Sequence, residues 1–189
     1  VQRSPWLKGL WSRLIAFLIG AILAPWLLPA YSGADAIGTD PALNGGEKWR
    51  IAYYEGGPWA DYHETLKAVA KGLMALGWME TAPLPDVSSP DDNRPLWQWL
   101  AASASSDYLQ FVEDGYWSSG WDAVLRRASR EGCIKRLQRN DFDLIMAMGT
   151  WAGKDLASNR HSVPTFVMSV TDPVASGIVR SAEDSGLDH

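Results

Sequence analysis

The stretch Asp143-Leu144-Ile145-Met146-Ala147-Met148 constrains this chain more than any other, because it is a nearly continuous apolar run closed by Gly149-Thr150. A strand that is apolar on both faces must be covered on both, which is the condition of a buried parallel sheet. Gly149-Thr150 opens a short helix predicted to reach Ser158, so strand, tight turn and helix follow without a linker. The same alternation recurs along the chain. Residues 49–54 read as a strand ending at Glu55-Gly56-Gly57-Pro58, and Tyr62, Leu66, Val69, Leu73 and Leu76 then repeat at helical spacing up to Gly77. Residues 108–112 read as a strand running into a loop over 113–117. An arginine-rich helix follows over 122–139, with Val124, Leu125, Ala128, Ile134 and Leu137 as inner positions. Residues 164–170 form a fourth strand ending at Thr171-Asp172-Pro173. The fold class is α/β: a parallel sheet with helices on both faces.

Residues 79–107 break this rhythm. Pro83, Pro85, Pro90 and Pro95 make a long irregular segment, with one short helix predicted over 96–104 carrying Trp97 and Trp99. Irregular segments of that length inside a compact domain are uncommon and often functional.

The first 36 residues are a different material. Arg3, Lys8 and Arg13 precede a 17-residue apolar run over 14–30, and small residues lead to Ala34-Asp35-Ala36. A basic start, an apolar middle and an A-x-A end describe a secretory signal peptide, with Ala36 as its last residue. The other reading is an uncleaved anchor, but a span needs about 20 apolar residues and this run is interrupted by Pro25 and Pro29. Residues 37–48 read as a flexible linker. Loss of three basic residues and one acidic residue with the leader takes the net charge from −5 to −7. An acidic exported chain does not carry the basic face of a nucleic-acid binder. Cys133 is the only cysteine, which excludes an intrachain disulfide and a multi-cysteine zinc site.

Catalytic patterns are absent: the sequence holds no G-x-G-x-x-G, no P-loop, no H-E-x-x-H and no G-x-S-x-G. His63 and His161 read as helix-surface and loop residues, and Cys133 as a packing residue whose alternative is a thiolate activated by Arg130 and Arg136. Glu55 and Asp172 both close predicted strands, and a carboxylate pair there can bind an amine, cap a helix or run acid–base chemistry. Without a nucleophile or base beside them, binding is the favoured reading.

Two segments carry a family likeness, Asp141-Phe142-Asp143-Leu144-Ile145-Met146-Ala147-Met148-Gly149-Thr150-Trp151-Ala152-Gly153 and Val170-Thr171-Asp172-Pro173-Val174-Ala175-Ser176-Gly177-Ile178-Val179. They resemble the substrate-binding proteins of ABC transporters, in the branch with a type I periplasmic-binding fold. That branch shows an apolar strand ending in a small-residue/Thr turn, then a strand ending in T-D-P-V. Ile51-Ala52-Tyr53-Tyr54 and the helix end Gly72-Leu73-Met74-Ala75-Leu76-Gly77-Trp78 look like its opening unit. The resemblance implies two α/β lobes joined by a hinge, non-covalent capture of a small solute in the periplasm, and delivery to a membrane permease. It implies a monomer with no catalytic role and no cofactor. Residues 49–189 would be the N-terminal lobe, with the second lobe absent and the sequence the first part of a longer protein.

In open α/β sheets ligands bind beyond the carboxyl ends of the strands. The candidate ligand-binding residues are therefore Tyr54, Glu55, Gly56, Gly57, Asp114, Tyr116, Trp117, Gly149, Thr150, Trp151, Thr171 and Asp172. Gly149 permits close backbone approach, Thr150 offers a hydroxyl at a helix start, and Asp172 can accept from an ammonium. Tyr54, Tyr116, Trp117 and Trp151 can stack on a planar or apolar part. Each has a plainer reading: Thr150 as an N-cap, Asp172 as a turn initiator, Trp151 as helix-on-sheet packing, Gly56-Gly57 as a tight turn. The facing of Thr150 and Asp172 points to an amino-acid-like or organic acid solute. The competing functions are an exported α/β enzyme using Glu55 and Asp172, and a sensor module anchored by 14–30.

Overall fold

The central strand β1, Trp49–Glu55, is buried from Ile51 onward with no alternation of inner and outer residues, as a strand covered on both faces requires. The structure, a computed structural model, describes residues 38–86, 91–187 and 189. The expected signal peptide and the alternative anchor over 14–30 lie outside the described residues, among which no helix is long and apolar enough to cross a membrane. After β1 come α1 (Ala60–Ala75), α2 (Arg94–Ala102), β2 (Leu109–Ser118), α3 (Ala123–Gln138), β3 (Leu144–Met148), α4 (Gly149–Leu156) and β4 (Thr165–Met168). The four strands form one parallel sheet in the order β2-β1-β3-β4.

Alternate residues of β1 serve opposite layers. Ile51 and Tyr53 face a cluster with Tyr62, Leu66 and Ala70 of α1 and Leu96, Trp97 and Leu100 of α2. Ala52 and Tyr54 face the other, with Cys133, Ile134 and Leu137 of α3 and Ala152 and Leu156 of α4. The expected layering, helices on both faces of a parallel sheet, is present. The first layer is unusually aromatic: Tyr53 stacks on Tyr116 at 5.2 Å with planes 2° apart, and Trp97 packs beside both. Trp97 is fully buried and its indole N–H donates to the Val112 carbonyl.

Three expectations need correction. The loop expected over 113–117 is strand: β2 runs to Ser118, because two steps along β1 (Ile51 to Tyr53) are matched by five along β2 (Phe111 to Tyr116). The excess forms a wide bulge on an edge strand, folded so tightly that a Cβ on Gly115 would lie 3.0 Å from the Val112 carbonyl. Val124 and Leu125 are not inner positions of α3 but 80% and 56% exposed, because the helix starts beyond the sheet and buries residues only from Cys133. His63 and His161 are buried rather than exposed; His63 meets the side-chain oxygen of Asn93, and His161 the Leu156 carbonyl. Cys133 is fully buried, and burial pushes its thiol pKa up against the weaker pull of Arg136, so it is a packing residue.

The stops behave as the sequence predicts. Gly77 takes φ 75° after α1, and the Trp78 amide returns to the Leu73 carbonyl. Asp122 caps α3, accepting from the amides of Val124 and Leu125 at 2.7 and 2.9 Å. Within the 37–48 stretch, Asn44 and Glu47 exchange both backbone bonds, and the Trp78 indole N–H donates to the Thr39 carbonyl.

Candidate functional site

The carboxyl ends of β1 and β3 lie side by side, Glu55 opposite Met148 in the ladder, so the turns that follow them share one edge of the sheet. After β1 the chain passes through Gly56 and Gly57, and the indole of Trp121 lies across both. A Cβ on Gly57 would sit 2.7 Å from the Trp121 amide nitrogen, and one on Gly56 would sit 2.8 Å from its ring and 2.9 Å from Trp151 Cβ. Glycine is needed here for close approach of an aromatic side chain. Trp121 reaches this position through two residues in the left-handed region, Gly120 at φ 59° and Trp121 itself at φ 63°. It is pinned at two points: its amide donates to the Gly56 carbonyl at 2.9 Å and its indole N–H to the Pro58 carbonyl at 3.0 Å. The Ser119 hydroxyl donates to the same Gly56 carbonyl.

After β3, Gly149 at φ 82° turns the chain directly into α4, and the space a Cβ would fill is occupied by the hydroxyl end of Tyr62 from α1. The result is an open cleft of about 490 Å3 lined by Trp59, Tyr62, Trp121, Thr150 and Trp151. Trp121 meets Trp151 edge-on at 5.5 Å with planes 78° apart, and Tyr62 lies 6.3 Å from Trp121. Trp59 and Trp121 keep 54% and 40% of their surface exposed although their backbones are fixed. The lining carries no charged side chain. Such a cleft can hold the flat or apolar part of a small molecule by stacking and area burial.

Below the cleft is a second cluster with a different character. Glu55 is buried and accepts from the Tyr53 hydroxyl, the Tyr116 hydroxyl and the Asn93 amide, each at 2.8 Å. Burial pushes its carboxyl above the usual range, while the bonds from Asn93, Tyr116 and Tyr53 pull it back. Burial and the Glu55 charge together hold the Tyr53 and Tyr116 hydroxyls protonated. The Arg94 guanidinium covers the Tyr116 ring at 4.5 Å. Every polar group in this cluster is satisfied internally, which suits a tie between the start of α2 and the sheet.

Of the residues predicted from sequence, the structure brings Gly56, Gly57, Gly149, Thr150 and Trp151 together at the cleft. Glu55 and Tyr116 belong to the buried cluster beneath it. Tyr54 lies on the opposite face of the sheet, its hydroxyl on Asp155 at 2.9 Å. Trp117 shares that face, edge-on to Phe142. Asp114 sits exposed on the β2 bulge, bonded to Arg136. Thr171 is exposed, and Asp172 accepts from the Ala175 amide at 2.8 Å, starting a turn. Sequence reasoning missed Trp59, Tyr62 and Trp121 as lining residues. The signal for Trp121 was Gly120-Trp121-Asp122, a glycine before an N-cap with a bulky aromatic between.

A larger groove of about 750 Å3 runs between α1 and residues 81–86, lined by Lys67, Lys71 and Asp86 among others. It flanks a helix rather than the strand ends. Among the described residues no group of three or more His, Cys, Asp or Glu is placed to hold a metal ion.

Neither a protein-family model nor a curated protein matches the chain. Three solved structures are similar to part of it. One is a conserved domain protein from Vibrio cholerae, 13% identical, TM-score 0.45, covering 71% of this chain and 35% of that one. Another is the ligand-free, open form of a substrate-binding protein with adhesive properties from Clostridium difficile, 17% identical, TM-score 0.43, covering 70% and 34%. The third is an ABC domain in complex with L-Trp from Streptococcus pneumoniae, 18% identical, TM-score 0.45, covering 74% and 36%. This chain spans about a third of the length of each.

Proposed function

We propose that this chain supplies one α/β lobe of an extracytoplasmic solute-binding protein, serving an ABC importer, and that the aromatic cleft is its half of the solute site. The observation that carries this reading is the convergence of three tryptophans and a tyrosine beyond β1 and β3, two of them left substantially exposed. Burying an indole stabilises a fold, so indoles fixed by backbone bonds yet left in water are more useful to a ligand than to the fold. Closure of a second lobe over the cleft would remove that surface from water.

The solute is small, amino-acid-like or an organic acid, with a flat or apolar part against the rings and a carboxylate toward Thr150 at the start of α4. Asp172 is not among the residues lining the cleft and starts a turn of its own, so the solute reading rests on the rings and Thr150. Localisation follows from the leader: cleavage after Ala36 would release the lobe into the periplasm, where it would deliver solute to a permease. An enzyme built on Glu55 and Asp172 is not favoured, because the first is buried and saturated with donors and the second is engaged elsewhere.

The test is calorimetric titration of the full-length protein with a panel of amino acids and organic acids. Binding accompanied by a change in tryptophan fluorescence is expected, and Trp121→Ala should abolish it. A panel in which no carboxylate-bearing compound binds would overturn the proposal.

A further inference from the structure

The first two turns of α3 make almost no contact with the body of the protein: Ala123, Val124, Leu125, Arg127 and Ala128 are all exposed. One side chain there turns inward. Arg126 is 26% exposed, and its guanidinium lies over the Trp151 ring, 4.2 Å from the centroid. Its Nε donates to both oxygens of Asp155, at 2.9 and 3.1 Å, and its Nη2 points at the Trp151 carbonyl at 3.5 Å. Asp155 is itself nearly buried, at 3% exposure, and takes a further bond from the Tyr54 hydroxyl. Arg126 lines no part of the cleft, yet Trp151 does.

We infer that Arg126 is a positioning residue for the cleft: held by Asp155, its guanidinium sits over the Trp151 ring and fixes that indole edge-on to Trp121. The chemistry needs arginine. A planar guanidinium can stack on an aromatic face and donate in its own plane to a carboxylate at once, whereas an ammonium is a point charge without a plane. The Trp151 Cβ also lies close to Gly56, where an added Cβ would sit 2.9 Å from it, but this fixes where the ring starts and not how it is turned. That turn is held by two contacts, the Arg126 guanidinium over the ring and the perpendicular Trp121 indole. A helix end with no buried side chain has no packing reason to send an arginine inward; holding an indole that faces a ligand supplies one.

The inference rests on reading the cleft as the solute site, but its test needs no solute. Two indoles 5.5 Å apart couple their transitions, so the Trp121–Trp151 pair contributes an exciton couplet to the far-UV circular dichroism, identified as the part lost in Trp121→Phe. In Arg126→Met that couplet is expected to fall by about twofold or more, and Arg126→Lys should not restore it, for lack of a plane to stack. Because Arg126→Met leaves a buried carboxylate without its cation, Arg126→Met/Asp155→Asn is measured beside it and should show the same loss. A tether that merely joined α3 to α4 would leave the couplet unmoved. A couplet of wild-type amplitude in the folded variants overturns the role of Arg126 and leaves the solute panel standing. A panel without a binder defeats the reading of the cleft and leaves this measurement standing.

Discussion

Adding one methyl group at Gly149 tests the floor of the cleft. Gly149 lies at φ 82°, and a Cβ built there overlaps the hydroxyl oxygen and Cζ of Tyr62, with Cε1 3.0 Å away. Two costs follow for Gly149→Ala. Holding alanine in the left-handed region costs about 1 kcal/mol. The second cost comes from Tyr62, whose ring is overlapped as well as its hydroxyl, so a rotation about the C–O bond does not relieve it. Tyr62 is 8% exposed and packs in the α1 layer, and moving it into water forfeits roughly 2 kcal/mol of aromatic burial. The single substitution should therefore cost about 3 kcal/mol in urea unfolding followed by circular dichroism. In a Tyr62→Ala background the overlap is gone, so the same substitution should cost only about 1 kcal/mol, a coupling of about 2 kcal/mol. Equal costs in both backgrounds would refute the steric reasoning and assign the whole effect to the backbone.

Three further outcomes are expected. Burial raises the Glu55 carboxyl above its ordinary value, so its stabilising contribution is present at low pH and is lost as pH rises through the raised value. The stability of wild type relative to Glu55→Gln should therefore decline as pH rises above about 4 in urea titrations, and a rise there would contradict it. Asp122→Ala removes both bonds of the α3 cap and should cost about 1 kcal/mol in thermal unfolding, with a neutral result showing that the exposed first turns carry no stability. Mass spectrometry of the exported protein should find Ile37 as the first residue, whereas an intact 14–30 segment would support the anchored sensor instead.

The strands were legible where an apolar run met glycine or proline, as at Glu55-Gly56 and Met148-Gly149. The second half of β2 was not, because Glu113-Asp114-Gly115 has the composition of a turn and a wide bulge on an edge strand uses the same residues. The exposed start of α3 escaped for the opposite reason: Val124 and Leu125 have core character, and nothing local reveals that the helix begins beyond the sheet. Of the residues predicted for the site, those in the turns after β1 and β3 reach the cleft, whereas Tyr54, Tyr116 and Trp117 on the strands and Thr171-Asp172 after β4 do not line it. Tyr53 and Tyr54 are adjacent and alike, yet one joins Glu55 beneath the cleft and the other joins Asp155 on the far face. Strand parity fixes that they separate but not which way. Tyr62 reads as a core residue from its spacing and is one; that its hydroxyl end also closes the cleft depends on Gly149, 87 positions away.

Backbone conformation marks one of the cleft's indoles, Trp121. Among the described residues, three that are not glycine take positive φ: Asn140, Trp121 and Ser169. Asn140 follows the end of α3, where asparagine in this region is ordinary. Trp121 and Ser169 have no such excuse. Trp121 lies across the turn after β1, and Ser169 follows β4 with its hydroxyl 2.9 Å from that of Thr65 on α1. A bulky aromatic in the left-handed region costs of order 1 kcal/mol or more and persists only where its surroundings hold it. Those surroundings are the two carbonyls that bind Trp121 and the two glycines that make room for it. Three residues, Gly56, Gly57 and Pro58, are thus committed to holding one indole that stays 40% exposed. Core packing would have buried it, as it buries Trp97, and this exposed placement is what the proposed solute site would use.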